Sequence, residues 1–250
     1  MSRRLLASLL LIGAVASLSA CGNDPMEEAT PPSRQFIDLQ HQEYAERQFY
    51  VSDPAQGANK HIYKFNAQLD RYVLLPIVDA YKFVTPEFLR TRVSRFFANV
   101  GEITNFTNSV LQGSGSKAAT TLGRFAINTT VGLLGTFEVA SDWGLERQQE
   151  DFGQTLGVWG AGPGPYVVLP FFGPSNLRDS VGIAADLALF SLIIPNDVED
   201  ETAYKVAFYG VQPLNMRYIN PFRYYESGTP FEYEFVRYLN TQARELAVKN

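Results

Sequence analysis

Residues 85–115 read TPEFLRTRVSRFFANVGEITNFTNSVLQGSG, and this stretch sets the fold class. Thr85-Pro86-Glu87 is a helix start: a capping residue, proline in the first helical position where its missing N–H costs nothing, and an early acid facing the helix dipole. Val93, Phe96, Phe97, Val100, Ile103, Phe106 and Val110 then fall roughly on one side of a helix. Gly113-Ser114-Gly115 ends it, so a helix is predicted to about Gln112.

The same pattern recurs outward in both directions. Within 59–75, Ile62, Phe65, Leu69 and Tyr72 are spaced by three, four and three, one face of a helix that Pro76 should end or kink. Residues 116–135 begin another helix. Pro174-Ser175-Asn176 starts one that runs to about Ser191. A further helix is predicted over 197–210, capped by Asn196 or Asp197. The acids Asp197, Glu199, Asp200 and Glu201 fall in its first turns, where the dipole favours them; a calcium site is the other reading. Thr229-Pro230-Phe231-Glu232 forms a capping box for the last helix, with Phe231, Phe235, Leu239 and Leu246 as its apolar stripe. No internal repeat is visible. The class is mainly α, with a single helical domain over residues 51–250.

Two segments stand apart. FAINTTVGLLGTF, residues 125–137, is thirteen uncharged residues, too short to cross a bilayer as a helix. It reads either as a buried core helix or as a segment lying in one leaflet or lining a lipid path. FGQTLGVWGAGPGPYVVLPFFGPSNL, residues 152–177, has no charge in twenty-six residues but six Gly and four Pro. It is neither a spanning helix nor an ordinary solvated loop. Residues 166–169 read as a short extended segment, one arm of a hairpin, and the apolar side chains need shelter in core, partner or lipid.

The amino terminus is MSRRLLASLLLIGAVASLSAC. Arg3 and Arg4 precede a short apolar run and then Leu18-Ser19-Ala20-Cys21. Residues 1–20 are a secretory signal to be set aside. Cys21 resembles the acylated cysteine of a bacterial lipobox, and it is the only cysteine in 250 residues. Gly22 in place of Asp allows export to the outer membrane. Residues 21–50 are the acylated terminus and a flexible tether, with three prolines between 22 and 35.

Composition excludes several classes. Apolar residues at 46% and charged residues at 19% rule out a disordered chain. One cysteine and two histidines leave no disulfide framework and no Cys- or His-rich metal centre. Net charge is −5; loss of Arg3 and Arg4 leaves 19 basic against 26 acidic residues, or −7. Bulk charge does not suit nucleic acid. Aromatic content of 13% suits a core, an interface or a membrane boundary. Gly173-Pro174-Ser175 has half of a nucleophile elbow, with Leu177 in place of the second glycine. Gly113–Lys117 and Gly160, Gly162 and Gly164 lack the order of phosphate-binding loops. Nothing asks for a cofactor.

Several clusters together resemble one family. They begin at Asp53-Pro54, then Asn59, Ile62-Tyr63, Phe65-Asn66 and Leu69-Asp70. They continue through Asn99, Glu102, Asn108 and Leu111-Gln112-Gly113. The densest are Gly123-Arg124-Phe125-x-Ile127-Asn128-Thr129 and Glu150-Asp151-Phe152-Gly153-x-Thr155-Leu156-Gly157. Gly164-Pro165-Tyr166, Leu169-Pro170-Phe171, Gly173 and Leu177-Arg178-Asp179 complete the set. With the lipobox, this resembles the MlaA family, also called VacJ, over roughly residues 21–190.

The resemblance implies an outer-membrane lipoprotein of Gram-negative bacteria, lipid-anchored on the periplasmic-leaflet side. It implies a ring-like helical assembly embedded in one leaflet, whose channel removes misplaced phospholipid from the outer leaflet. A trimeric porin of the OmpC/OmpF type would hold it, and a soluble carrier, MlaC, would receive the lipid. The family is not enzymatic. A structural lipoprotein that organises porins, or a lipolytic enzyme using a serine such as Ser175, are the alternatives. Phe125, Ile127, Asn128, Thr129, Thr130 and Leu133 are candidate channel residues, giving polar groups beside apolar walls; a core helix with buried amides is the other reading. Gly157, Gly160, Gly162, Gly164, Pro165, Tyr166, Leu169, Pro170, Phe171 and Gly173 are a candidate gating hairpin, against a rigid structural role.

Overall fold

The computed structural model describes residues 51–249, and the first helix, α1 (Gln56–Leu69), begins just after Asp53. The signal peptide, Cys21 and the tether lie outside the described residues. Pro76 does not end the helical run. The chain widens into a π-helical turn, Asp70–Leu74, and continues as α2 (Leu75–Val84) with Pro76 in its first turn. A proline ring crowds the carbonyl four residues back, here that of Tyr72, and the wider turn makes the room. The same device recurs further on. A second π-helical turn, Val206–Val211, immediately precedes a helix with Pro213 in its first turn.

The long helix is α3 (Glu87–Leu111), with Pro86 as its N-cap, one residue earlier than the expected first helical position. Thr85 instead closes α2, its N–H donating to Tyr81 O. Gly113, at φ 72°, turns the chain into α4 (Gly115–Thr130), which packs back along α3. Short α5 (Val139–Asp142) and α6 (Phe152–Val158) follow. An antiparallel hairpin comes next: β1 (Tyr166–Leu169) and β2 (Gly173–Asn176), paired from Tyr166 with Asn176 to Leu169 with Gly173. Pro174 and Ser175 thus lie in a strand, and Asn176 alone caps α7 (Leu177–Ile193). The single helix expected over 197–210 is broken: α8 (Asn196–Asp200) stops before Glu201, which is extended at ψ 135°, then α9 (Thr202–Lys205) restarts the run. The second π turn and α10 (Gln212–Ile219) follow, and α11 (Glu232–Lys249) closes the chain.

Glu232 does not reach back to Thr229 as a capping box would. Its buried carboxylate accepts from the Tyr63 hydroxyl at 2.7 Å, from the Ser227 N–H and hydroxyl, and from the Tyr225 N–H. It joins α11 to α1 through Tyr63, 169 residues away.

The burial pattern is inverted. Among the described residues, nine hydrophobic side chains are buried, and so are twenty polar or charged ones. On α3 the buried positions are Phe97, Asn99, Glu102, Asn105, Asn108 and Ser109, while Val110 and Leu111 are exposed. The stripe marked over 59–75 is split: Phe65 on α1 and Tyr72 in the π turn are exposed, Ile62 and Leu69 are half-buried with Ile62 against the small apolar core, and Asn59, Tyr63, Asn66 and Asp70 are buried. Phe235, Leu239 and Leu246 of α11 are exposed as well. Among the described residues, the hydrophobic core is small: Tyr63, Tyr166, Val168 and Tyr233, with edge-to-face rings at 5.6 Å and 6.0 Å centred on Tyr233.

Glu232→Ala strips the Tyr63 hydroxyl and the Tyr225 and Ser227 donors of a charged acceptor. The expected loss is about 2 kcal/mol or more, a fall of about 4–8 °C in melting temperature. A thermal melt of the purified protein checks it, and an unchanged melt refutes the tie between α11 and α1.

Candidate functional site

The polar residues of α3 recur at helical spacing, as Asn99, Glu102, Asn105, Asn108 and Gln112, and so share one face. That face meets Arg124 of α4, which is 1% exposed. Its Nε donates to Glu102 Oε1 at 2.9 Å and its Nη2 to Glu138 Oε1 at 2.8 Å. Its Nη1 donates to Ser141 Oγ and to Leu145 O. Asn105 donates to the other Glu102 oxygen and accepts from the Glu150 N–H. Gln112 and Lys117 both donate to the Glu150 carboxylate. Burial would raise the Glu138 carboxyl, but donors from Asn128, Ser141 and Arg124 outweigh it and hold it below the usual range.

A second cluster ties α11 to α6 and α7. Arg244 grips Asp151 with Nη1 and Nη2 at 2.7 Å and 2.8 Å, and reaches Asp179 with Nε at 2.6 Å. Burial works against both aspartates, yet the Arg244 contacts hold both below the ordinary carboxylate range, with Arg178 assisting at Asp179 and Gln154 at Asp151. Asp186 goes the other way. Burial pushes it up despite donors from the Phe152 N–H and Asn108, and the nearby Asp151 charge adds to the rise.

The hairpin is clamped. Asn59 donates to Tyr166 O at 3.1 Å and accepts from the Val168 N–H at 2.9 Å. One heptad later, Asn66 donates to Leu169 O and accepts from the Phe171 N–H, both at 2.9 Å. Two carboxamides on α1 thus supply the bonds a third strand would give to β1. Tyr166 and Val168 are buried at its centre; Phe171, at φ 68°, and Phe172 are exposed at its tip. Gly157 sits where an added Cβ would meet Val248 of α11 at 2.7 Å.

The candidate channel residues do not form one strip. Asn128 is 1% exposed and its amide is spent: Nδ2 on Glu138, Oδ1 on the Val139 and Ala140 N–H groups. Its side chain therefore belongs to the buried network. Thr129 Oγ1 accepts from Asn99 Nδ2. Phe125 and Ile127 are half-buried, while Thr130 and Leu133 face outward.

Past α4 the chain doubles back, with the Gly135 N–H on Asn128 O at 2.7 Å and the Leu134 N–H on Thr129 O. A Cβ at Gly135 would strike Asn99 Cβ at 2.3 Å, and φ there is 83°, so the return requires glycine. It delivers Thr136 to a crevice of about 290 Å³. Leu89, Val93, Phe96 and Phe97 of α3 wall it on one side, and Ala207 and Val211 of the second π turn on the other. Arg92 lies at its margin, donating to Thr136 O at 3.2 Å with its guanidinium 3.8 Å from the Phe137 ring centre.

Arg92, Arg124 and the Asn59–Asn66 pair carry no role in the sequence reading. Polar residues at helical spacing within an apolar helix were the available signal for Glu102 and Arg124; nothing local marks Asn59 as a partner of Val168. Ser175 is buried on β2, donating to Asn176 O and accepting from Ser180 Oγ, and His61 instead bonds Gly57 O at the surface. Among the described residues, no group of three or more His, Cys, Asp or Glu is placed to hold a metal ion, and no helix is long and apolar enough to cross a membrane.

A helical domain with a polar interior, an apolar exterior and a clamped hairpin is a distinct class of protein. Residues 51–247 match the MlaA lipoprotein family, and the chain belongs to it. The Intermembrane phospholipid transport system lipoprotein MlaA of Escherichia coli (strain K12) is 38% identical over 139 residues, 54% of this chain and 55% of that protein. An uncharacterised protein of Rickettsia felis is 33% identical over 202 residues, 80% of this chain and 79% of the relative. A Rickettsia typhi relative is 40% identical over 129 residues, so the chain spans about half the length of several curated relatives it matches. A solved structure described as "Structural basis for maintenance of bacterial outer membrane lipid asymmetry" aligns with a TM-score of 0.64 and 29% identity, covering 79% of this chain and 99% of that one.

Asn66→Ala removes the side-chain acceptor of the Phe171 N–H and one donor to Leu169 O. We expect a loss of about 1–3 kcal/mol, concentrated in faster amide exchange across β1; uniform protection loss throughout the chain would contradict a local clamp.

The depressed Glu138, Asp151, Asp179 and Glu232 contribute stability that is complete above their unfolded values, about 3.9 for Asp and 4.3 for Glu, and lost as pH falls through the folded values. Asp186 opposes them, because its burial penalty is relieved on protonation. Four groups outweigh one, so denaturant midpoints should fall steadily below about pH 5. A flat profile to pH 3 would contradict this.

Proposed function

We propose that this chain is a non-enzymatic, outer-membrane lipoprotein that removes misplaced phospholipid from the outer leaflet and passes it to a soluble periplasmic carrier of the MlaC type. The observation that carries the reading is the inverted burial. At roughly 25 cal/mol per Å², exposed side chains such as Phe83 (93% exposed), Leu192 (82%) and Phe171 (72%) are a heavy penalty in water and none in hydrocarbon. With no spanning helix among the described residues, the apolar exterior suits a body seated in one leaflet. The names borne by the E. coli relative and the aligned structure support the same reading.

In this proposal Cys21 is acylated and anchors the chain on the periplasmic-leaflet side, and the domain closes as a ring with a trimeric porin of the OmpC/OmpF type around it. Phe125, Ile127, Thr129, Thr130 and Leu133 remain candidates for the lipid path, with Asn128 acting behind them through Glu138. The hairpin 157–173 serves as a fixed wall beside the path rather than a swinging gate, because Asn59 and Asn66 satisfy its backbone. A lipolytic reading would need a base beside Ser175, whose hydroxyl is instead engaged by Asn176 and Ser180.

The test is outer-leaflet phospholipid, read by its access to added phospholipase, in a deletion strain with and without the gene restored. We expect a rise on deletion, reversal on restoration, and no reversal by Cys21→Ala. Unchanged phospholipid with disturbed porin organisation would replace the transport reading with a structural one.

A further inference from the structure

The apolar crevice between α3 and the second π turn combines two features that are each costly alone. Its walls are Leu89, Val93, Phe96, Phe97, Ala207 and Val211, and it is open to the surface. An unfilled apolar hollow forfeits the contacts its lining atoms would make. At its margin stands a cation without a counter-ion: among the described residues, no carboxylate pairs with Arg92, whose one hydrogen bond goes to Thr136 O. Most of its five donors remain available. Arg95, one helical turn on and so on the same flank, makes no ion pair among the described residues either.

We propose that this crevice is a phospholipid seat: it takes part of one acyl chain, while Arg92 holds the phosphodiester. The inference rests on the transport reading above and specifies where, and by which chemistry, that function would grip its lipid. A hydrophobe fits the walls, an oxyanion fits the guanidinium, and a diacyl phosphodiester lipid carries both in one molecule. About 290 Å³ is near the low end of ligand pockets, which suits part of one chain rather than a whole lipid.

The surroundings prepare the site. Phe137, whose ring centre lies 3.8 Å from the guanidinium carbon, and Thr136 O restrain Arg92 before ligand arrives, lowering the ordering cost of a phosphate contact. Phe137 is held there by the return of the chain at Gly132 and Gly135. The opposite wall is a π-helical turn, whose wide backbone presents Ala207 and Val211 across the opening. Recognition through the phosphodiester alone predicts tolerance of different headgroups and rejection of a diacyl lipid that lacks phosphate.

The experiment uses the full-length lipoprotein in vesicles of phosphatidylethanolamine and phosphatidylglycerol. The probe is phosphatidylglycerol with a diazirine on one acyl chain, and adducts are mapped by mass spectrometry. We expect adducts on the peptides covering 89–97 and 206–211. Arg92→Gln should lower them roughly tenfold, the factor that about 1.4 kcal/mol makes. Ala207→Phe, which fills the crevice without touching the guanidinium, should lower them similarly while the melting temperature holds; it decides the matter if Arg92→Gln fails to fold. A diacylglycerol diazirine should not be captured, and millimolar inorganic phosphate should not compete. Adducts that spare both peptides, undiminished capture by the two folded variants, equal capture of diacylglycerol, or displacement by phosphate would each overturn the assignment. Capture elsewhere in a chain that still lowers outer-leaflet phospholipid removes the crevice and leaves the transport reading. No capture anywhere, with no change in outer-leaflet phospholipid, removes both.

Discussion

The buried guanidinium of Arg124 is the interaction on which the rest of this structure depends. A chain that turns its apolar side chains outward cannot hold its interior together by excluding water from hydrocarbon. It needs directed bonds instead, and Arg124 supplies them to four separate points: Glu102 on α3, Glu138 before α5, Ser141 within it and Leu145 after it. Burying such a charge costs several kcal/mol, and removing one partner of a buried pair costs about 3–5 kcal/mol, so the cluster is stable only when complete. Completion requires α3 and α4 to lie at one register and the segment 138–145 to wrap one way. Asn128 sets that wrap by accepting from both the Val139 and Ala140 N–H groups. The fold is thereby specified by a network with few alternatives, which an apolar core of interchangeable methyl groups would not achieve.

Much of this was legible in the sequence, but with the inside and outside exchanged. Helical spacing locates α1, α3 and α11 because a 3.6-residue period marks a face whichever medium that face meets. It does not say which medium. On α3 the same helix carries Val93, Phe96, Val100 and Ile103 together with Asn99, Glu102, Asn105 and Asn108, and both series are periodic. Only the burial of the second shows that the interior is polar. Local capping was readable where a side chain acts on its own turn, as Asn176 does on the Asp179 N–H. Glu232 misled because its carboxylate serves Tyr63, Tyr225 and Ser227 rather than Thr229, a nonlocal choice invisible to a four-residue motif. The hairpin arm at 166–169 was legible, whereas its clamp at Asn59 depends on a contact 107 residues away.

The candidate site was less legible for the same reason. The uncharged run 125–137 was singled out because it lacks charge, and the structure divides it by function instead. Asn128 looks inward, Thr130 and Leu133 look outward, and Thr136 and Phe137 are carried back to α3. No period describes a segment that is half helix and half return. The prolines posed a related problem. Pro76 reads as an end or kink, yet it follows a π-helical turn that absorbs its ring and lets the helical run continue, and Pro213 follows a second such turn. The second of those turns also forms one wall of the crevice.

An inverted protein places particular demands on any lipid path. Phospholipid tails already sit comfortably against its exterior, so apolar surface alone provides no reason for a lipid to enter. The headgroup has the opposite difficulty: it must leave water or the membrane interface, and the buried charges that might welcome it are already paired with one another. Arg124, Arg244 and Arg217 each have carboxylate partners within the fold. A transferable lipid therefore needs a boundary position where a cation has been left uncommitted and an apolar hollow opens beside it. Arg92 over Phe137 is such a boundary. It lies where the chain returns from the polar interior to the apolar surface, and its rigidity is inherited from the Gly135 turn that packs against Asn99. The saturated interior thus does more than hold the helices: among the described residues it sets no carboxylate against Arg92, whose hydrogen bond goes to Thr136 O, and so keeps that guanidinium available for phosphate.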